Sequence, residues 1–415
     1  METYYHDLAQ KVINGYEITP DEALTLLNRP RTMPEVFDLL AAANHIRHSY
    51  SGNKIDFCGI VNAKSGLCSE DCSFCAQSAH FNTGVKEYPL MQPDDIVEEI
   101  SYLESIHAQR VGIVTSGRGL RSKREIEMVC ETLKKTKEQS SVSRCASLGT
   151  QSVETLKKLK ESGLVTYHHN LEVSRSFYEN ICTTHTYDER MITVKNAKEA
   201  GLRVCSGGIM GVGEAPEHRV ELAFTMKELD VDTIPLNFLN PVPGTPAEKV
   251  DPMHPLDVLK AIAMFRFVNP RKDIRVAGGR EVNLRGLQPL MFIAGANSTM
   301  VGNYLTSNGR ESSEDIRDVL DLGLELFQNN EMVVNEEMVK SGELHIEGLE
   351  SVEPSHYKAD VEYLREARNT ARSKLQLAVH MHTNAVPNPY KVTVTRTAGS
   401  NGSAMNQQET VQSAS

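Results

Sequence analysis

Positive charge is in deficit in this 415-residue chain, with 44 Lys and Arg against 55 Asp and Glu and a formal net charge of −11. Sequence-independent nucleic-acid binding needs the reverse, a cationic surplus that displaces counterions from phosphates, so nucleic acid is excluded as a partner. Long apolar runs are missing as well. None approaches the ~20 residues that cross a bilayer, so no membrane partner is expected. The opening METYYHDLAQK has no basic stretch followed by an apolar one and does not read as a secretory signal, so a cytoplasmic location is expected. Cysteine is absent beyond residue 205.

The eight cysteines that are present, Cys58, Cys68, Cys72, Cys75, Cys130, Cys145, Cys182 and Cys205, therefore all fall in the first half. Without an export signal, such clustering points to metal or redox chemistry before it points to disulfides. With 40% hydrophobic and 24% charged residues, the chain can bury a large core. Its length suits two or three average domains, or one large α/β barrel with additions at its ends.

Residues 1–50 read as short helices capping something larger. Thr19 is placed as an N-cap, Pro20 at the first helical position, and Asp21 and Glu22 in the first turn. From Ile55 short apolar runs alternate with amphipathic helices. Strands are expected at Ile55–Asn62, Arg110–Thr115, Ser143–Leu148, Leu164–Leu171, Leu202–Ile209, Thr233–Phe238, Asp273–Ala277 and Ser298–Val301. Between them Ile96, Val97, Ile100 and Leu103 follow Pro93-Asp94-Asp95, and Ile126, Val129, Cys130 and Leu133 recur at helical spacing. Ser162-Gly163-Leu164 and Ala200-Gly201-Leu202 each put a glycine at a helix end directly before a strand. This alternation implies a parallel α/β fold, a (β/α)8 TIM-type barrel over residues 51–325, with active-site residues at the C-terminal ends of the strands. A doubly wound open sheet is the alternative. Residues 326–396 form a C-terminal extension of unassigned role, in which Val361, Leu364, Ala371 and Leu375 suggest one more helix. Residues 397–415, nearly devoid of apolar side chains, are expected to be disordered.

Cys68-Ser-Glu-Asp-Cys72-Ser-Phe-Cys75 is a C-x3-C-x2-C cluster just after the first expected strand. Three thiolates on one short loop can hold three corners of a [4Fe-4S] cluster and leave one iron open to a small molecule. A structural zinc site is the bland reading, but it calls for a fourth protein ligand that no nearby residue supplies.

That triplet, with Phe74 before its last cysteine and a βα barrel around it, resembles the signature of radical S-adenosylmethionine enzymes. Five further segments resemble the biotin synthase family in the same order. They are Tyr167-His-His-Asn-Leu171, Cys205-Ser-Gly-Gly-Ile-Met-Gly-Val-Gly-Glu214, Asn237 with Gly244-Thr245-Pro246, Arg275-Val-Ala-Gly-Gly-Arg-Glu281 and Ala294-Gly-Ala-Asn-Ser298. The resemblance spans residues 15–325. It implies a radical, generated from S-adenosylmethionine at the [4Fe-4S] cluster, that removes hydrogen from dethiobiotin, and sulfur drawn from an auxiliary iron–sulfur cluster, [2Fe-2S] or a variant. It places the methionyl end near Ser116 and Gly117, adenosine near Asn170, Glu172, Gly208, Gly211 and Glu214, and dethiobiotin near Asn170, Asn237, Thr306 and Ser307. A flavodoxin- or ferredoxin-type electron donor and a homodimeric state are also implied. Competing readings are a hydrogenase-maturase-like or methylornithine-synthase-like radical enzyme, and a non-catalytic iron–sulfur or zinc scaffold.

The resemblance also implies that the auxiliary cluster is held by three cysteines and an arginine. Cys145, Cys205 and Arg275 match, but the cysteine expected on the second strand is Gly112, and glycine cannot ligate iron. Inward side chains of alternate strands share a layer in such barrels, so Cys58 on the first strand can join Cys145, Cys205 and Arg275. Cys182, on the loop after the fourth strand, is the other candidate replacement. Cys130, on an apolar helix face, reads as packing. His168, His169, His380 and His382 read as structural or surface residues.

Overall fold

The computed structural model describes residues 3–328 and 331–340. Its strands are β1 (Lys54–Lys64), β2 (Arg110–Thr115), β3 (Ser143–Ser147), β4 (Thr166–His168), β5 (Arg203–Cys205), β6 (Gly208–Met210), β7 (Thr233–Phe238), β8 (Asp273–Val276), β9 (Ser298–Met300), β10 (Glu325–Gln328) and β11 (Glu331–Val334). β1 to β5 and then β7 to β9 pair in parallel as successive neighbours. β9 pairs back onto β1, with Asp56 opposite Ser298 and Cys58 opposite Met300, and so closes an eight-stranded barrel. Helices follow the strands, from Pro93–Ser105 after β1 to Ser312–Asp321 after β9. The expected (β/α)8 architecture is the observed one.

Two details depart from the expected elements. The single strand expected over Leu202–Ile209 is interrupted, with β5 and β6 flanking Ser206 and Gly207. The register against β7 is unchanged across the gap, Cys205 facing Thr233 and Gly208 facing Leu236. In that register Gly207 stands opposite Pro235, which has no N–H to give the ladder, so the pairing lapses for one step. The second departure lies at the end of the barrel, where the alternating pattern was expected to stop. β10 adds to β1 in parallel, Lys54 facing Glu325, and β11 returns antiparallel to β10. A strand this short carries too little pattern to be recognised from sequence. The helix around Val361, the tail from residue 397, His380 and His382 lie outside the described residues.

Three helices precede the barrel, Thr3–Ile13, Pro20–Asn28 and Met33–Ser51; the first packs on the third, the second against Pro216–Glu228 and Pro255–Val268, and the third also against Pro255–Val268. The second begins as its sequence requires. Thr19 Oγ1 accepts from Glu22 N at 3.2 Å while Glu22 Oε2 accepts from Thr19 N at 2.8 Å, a reciprocal cap.

The floor of the barrel is charged rather than apolar. Asp56 Oδ2 pairs with Arg110 Nε at 2.7 Å and with an Arg275 Nη at 3.2 Å, and Arg110 also reaches Asp273 at 3.3 Å. Above the barrel wall a second buried pair holds the Ser312–Asp321 helix. Both Nη atoms of Arg280 reach the two carboxylate oxygens of Asp315 at 2.7 Å, and one also donates to the carbonyl of Met300 at the end of β9. Removing one partner of such a pair strands a buried charge, at a typical cost of about 3–5 kcal/mol. Asp315→Ala should therefore lower the unfolding free energy by about that much in chemical denaturation. A loss below ~1 kcal/mol would show that the pair does not hold this helix to the barrel.

Candidate functional site

The triplet loop leaves the C-terminal end of β1 and folds on itself. Cys68 N donates to the carbonyl of Gln77 at 3.0 Å, Ala79 N to that of Cys68 at 2.8 Å, and Cys75 N to that of Cys72 at 2.9 Å. The acids between the cysteines fasten this loop to the one after β4. Asp71 accepts from Thr183 N at 2.9 Å and Thr184 N at 3.2 Å, and Glu70 accepts from Thr184 Oγ1 at 2.8 Å and from His185. Burial works against ionised Asp71, but the Thr183 and Thr184 bonds outweigh it and hold the carboxyl well below the usual range. Cys68, Cys72 and Cys75 line a cavity of about 180 Å3 together with Ser116, Gly117, Asn170 and Glu172. The chemistry of that donor set suits an iron–sulfur cluster: three sulfurs face one small cavity.

A second cavity, about 390 Å3, opens beside it into the barrel. Cys58, Gly112, Cys145 and Arg275 line its inner part, and Asn237, Thr306 and Ser307 its outer part. Asn170 and His168 line both cavities. Cys205, 1% exposed, lies at the inner end, where Arg275 Nη1 is 3.8 Å and His168 Nδ1 is 3.2 Å from its sulfur. Burial disfavours the charge of Arg275, yet the facing sulfurs of Cys58 and Cys205 and the Asp56 carboxylate hold it above the ordinary arginine value. Burial pushes the thiols of Cys58 and Cys145 upward and that of Cys205 to about 12. In the triplet loop it pushes Cys75 to about 11.

The structure thus brings Cys58 to Cys145, Cys205 and Arg275, and it takes Cys182 elsewhere. Cys182 lies by the triplet, its ligand atom and those of Cys72 and His185 all within 4.8 Å of one another. A hydrogen bond from the Cys72 thiol, with one from His185 added, holds Cys182 below the ordinary thiol range. Cys130 is buried among the apolar side chains of the Lys123–Gln139 helix, as a packing residue should be.

The remaining site residues divide into open and committed groups. Ser116 Oγ donates to the carbonyl of Gly66 at 2.7 Å, tying the loop after β2 to the triplet loop. Gly117, at φ +110°, has nothing within 4 Å of where a side chain would stand. Asn170 Oδ1 accepts from Gly207 N at 3.2 Å, and Glu172 is paired with Arg190 at 3.2 Å. Asn237 donates to the Gly208 carbonyl at 3.1 Å and accepts from Gly278 N at 3.0 Å. Glu214 is spent inside its own loop. Its oxygens accept from Gly211 N at 2.9 Å, Val212 N at 2.8 Å and Arg219 Nε at 2.7 Å. Gly208 serves backbone packing, since a Cβ there would lie 2.1 Å from the Glu172 carbonyl oxygen.

Sequence reasoning missed Arg190 and the Glu70–Asp71 fastening. Arg190 bonds the Asn170 carbonyl at 2.9 Å, Tyr178 Oη at 2.9 Å and His185 Nε2 at 3.0 Å. The one available signal was the pairing of two acids inside the triplet with Thr183-Thr184-His185 after Cys182.

Comparison with known proteins gives two family matches, the Radical SAM superfamily over residues 64–226 and the Biotin and Thiamin Synthesis associated domain over residues 235–325. A biotin synthase from Geobacter sulfurreducens is 47% identical over 330 residues, covering 80% of this chain and 100% of the relative. One from Pelotomaculum thermopropionicum is 48% identical over 325 residues, covering 78% and 100%. Among solved structures, methylornithine synthase superposes with a TM-score of 0.69 at 22% identity, over 77% of this chain and 97% of that one. A maturase of the [FeFe]-hydrogenase superposes with a TM-score of 0.67 at 19% identity, over 81% and 77%. At those identities the likeness is one of fold.

Two measurements follow from the geometry. A Cβ at Gly112 would meet nothing closer than 3.5 Å, whereas at Gly208 it would lie 2.1 Å from backbone. Gly112→Ala should leave the unfolding free energy within about 0.5 kcal/mol, and Gly208→Ala should lower it by about 3 kcal/mol or prevent folding. Equal effects would refute this placement of the two glycines. Because thiols must lose protons to bind iron and burial raises those of Cys75 and Cys205, iron uptake by cluster-free protein should increase from pH 6.5 to 8.5. Uptake independent of pH, measured by iron and sulfide content, would contradict protonated starting thiols.

Proposed function

The chain belongs to the biotin synthase family of radical S-adenosylmethionine enzymes, and from that premise we propose how its own residues divide the reaction. It is a sulfur-inserting enzyme that converts dethiobiotin to biotin with a [4Fe-4S] cluster, S-adenosylmethionine and an auxiliary iron–sulfur cluster. The observation that carries the assignment of residues is the pair of adjoining cavities at one end of the barrel, the smaller lined by Cys68, Cys72 and Cys75 and the larger by Cys58 and Cys145, with Cys75 and Asn170 lining both.

Cys68, Cys72 and Cys75 hold the first cluster; Cys58, Cys145 and Cys205 hold the second, with Arg275 against it. When bound, these groups supply the one-electron chemistry that removes hydrogen from unactivated carbon, and the sulfur that replaces it. The protein's part is placement. Ser116 fixes the loop after β2 on the triplet loop, and the open side of Gly117 receives the methionyl end. Asn170 and Glu172 meet adenosine, with Arg190 holding Glu172 in position. Gly208, Gly211 and Glu214 shape the loop beneath it. Glu214 does so from within, because its carboxylate is already bonded to the loop backbone.

Asn237 and Asn170 meet dethiobiotin in the larger cavity, with Thr306 and Ser307 at its rim. Ile60, Val114 and Met300 give that cavity an apolar wall that suits an alkyl chain and keeps water from the reacting carbons. A flavodoxin- or ferredoxin-type donor, a homodimeric state and a cytoplasmic location complete the proposal. Among the described residues no helix is long and apolar enough to cross a membrane.

The rival radical enzymes resemble this chain at 15–22% identity and the biotin synthases at 44–48%, which favours the latter substrate. A scaffold without catalysis leaves the second cavity unexplained. Growth of a biotin-requiring strain on dethiobiotin after expression of this chain separates the readings. Failure of that rescue with both clusters intact would remove the substrate assignment. For the ligands, Cys58→Ala should retain the first cluster and lose the iron of the second, while Cys182→Ala should keep both, by iron and sulfide count and Mössbauer spectra. A complete second cluster in Cys58→Ala would overturn the assignment.

A further inference from the structure

Cys182 takes no part in the division of ligands above, yet its loop is bonded to the triplet loop on both sides of it. The two loops meet in antiparallel sense. Ser73 N donates to the Ile181 carbonyl at 2.9 Å, and Thr183 N donates to the Asp71 carboxylate at 2.9 Å. The neighbours of Cys72 are thus bonded to the neighbours of Cys182, and the two cysteines stand opposite each other between those bonds. We propose that Cys72 and Cys182 form a reversible disulfide when the first cluster is lost to oxidation, which keeps Cys72 recoverable for a new cluster. The benefit to the cluster rests on the assignment of Cys68, Cys72 and Cys75 to it; the disulfide itself does not.

Three observations carry it. First, facing residues of an antiparallel pair have Cα atoms about 4.5–5.5 Å apart, within the span of about 4.4–6.8 Å that a disulfide bridges. The bond therefore asks for rotation of two side chains rather than movement of backbone. Second, the two sulfurs lie within 4.8 Å of each other, and the Cys72 thiol donates a hydrogen bond to Cys182. Among the described residues, Cys68, Cys72 and Cys75 are not all gathered that closely. Third, Cys72 lines the smaller cavity, whereas Cys182 is 3% exposed and stands outside that lining. A molecule as small as hydrogen peroxide meets Cys72 first and leaves Cys182 as the resolving thiol.

With peroxide as the oxidant the step balances. The Cys72 sulfur gives an electron pair to one peroxide oxygen, the O–O bond breaks, and the departing hydroxide takes up the thiol proton as water. The Cys182 sulfur then attacks the sulfur of the Cys72 sulfenic acid. The S–O bond breaks, and hydroxide leaves with the Cys182 proton as a second water. Two thiols and one peroxide give one disulfide and two waters. Without a resolving thiol the sulfenic acid advances to sulfinic acid, which thiol reductants do not reverse.

The test uses the full-length enzyme, freed of iron by chelation under nitrogen, treated with hydrogen peroxide, alkylated and digested for mass spectrometry. The expected product joins the peptides of Cys72 and Cys182, two hydrogens lighter than the pair, and separates on reduction with dithiothreitol. After that reduction, Mössbauer spectra should show the first cluster rebuilt in the unmodified enzyme and lost in Cys182→Ser, where Cys72 should be found as sulfinic acid. Oxidised Cys72 without Cys182 attached, or joined to Cys68 or Cys75, would overturn the proposal even if Cys182→Ser failed to fold. Full rebuilding of the first cluster in peroxide-treated Cys182→Ser would overturn the protective role. Retention of first-cluster iron in Cys72→Ser would instead overturn the cluster reading, and the cross-link in the unmodified enzyme would still decide the disulfide.

Discussion

The buried guanidinium of Arg275 sets the terms for everything inside this barrel. A charge removed from water is tolerated only where anions answer it. One answer is Asp56, but Asp56 is shared with Arg110, which leans closer to it at 2.7 Å against 3.2 Å. The other is sulfur: Cys205 lies 3.8 Å from one guanidinium nitrogen, and Cys58 and Cys145 line the same cavity. While those sulfurs are neutral thiols, the floor of the barrel is short of negative charge, and it is that shortage which an anionic thiolate cluster would fill. The arginine is therefore a reason for a cluster to sit here, and the cluster a reason for the arginine to stay charged.

The same logic separates the two cavities. The triplet loop has no buried arginine on β-strand backbone beneath it. It is positioned from the side, through Asp71 and Glu70 to Thr183, Thr184 and His185, and through Arg190 to the Asn170 carbonyl. Of the two proposed cluster sites, one is thus built on rigid strands and the other on two loops sewn together. A cluster meant to give up sulfur needs a frame that survives the loss of an atom, and parallel strands paired on both sides provide it. A cluster that must admit and release a small molecule needs a mouth, and loops provide that.

Much of this was legible in the sequence because each feature involved has a local signature. The triplet spacing, the Thr19 cap, the glycines before β4 and β5, and the alternation of strands with helices are all short-range patterns. What stayed hidden depends on register or on contacts between distant segments. Pro235 breaks the ladder of β6 only because it faces Gly207, and nothing in either segment announces the other. Glu214 looked like a ligand-facing acid in a glycine-rich loop, yet its oxygens fold back on Gly211 and Val212. Cys182 looked like a candidate for the barrel because it follows β4, but a loop can carry a residue to either cavity, and Asp71 draws this one to the triplet.

Adjacent histidines in Tyr167-His168-His169-Asn170 invite one reading for both, yet β4 ends at His168, and of the two only His168 also lines the larger cavity. His168 turns to Cys205 and His169 does not, so equivalent neighbours in sequence acquire different chemistry in the fold. The glycine at 112 and the cysteine at 58 are parts of one problem. The ladder sets Gly112 between Ile60 and Cys145, and Cys58 lies one inward step from Ile60 on β1, so in the proposed ligand set a sulfur lost on β2 is replaced from the neighbouring strand. A barrel tolerates that exchange because alternate strands send inward side chains to a shared layer.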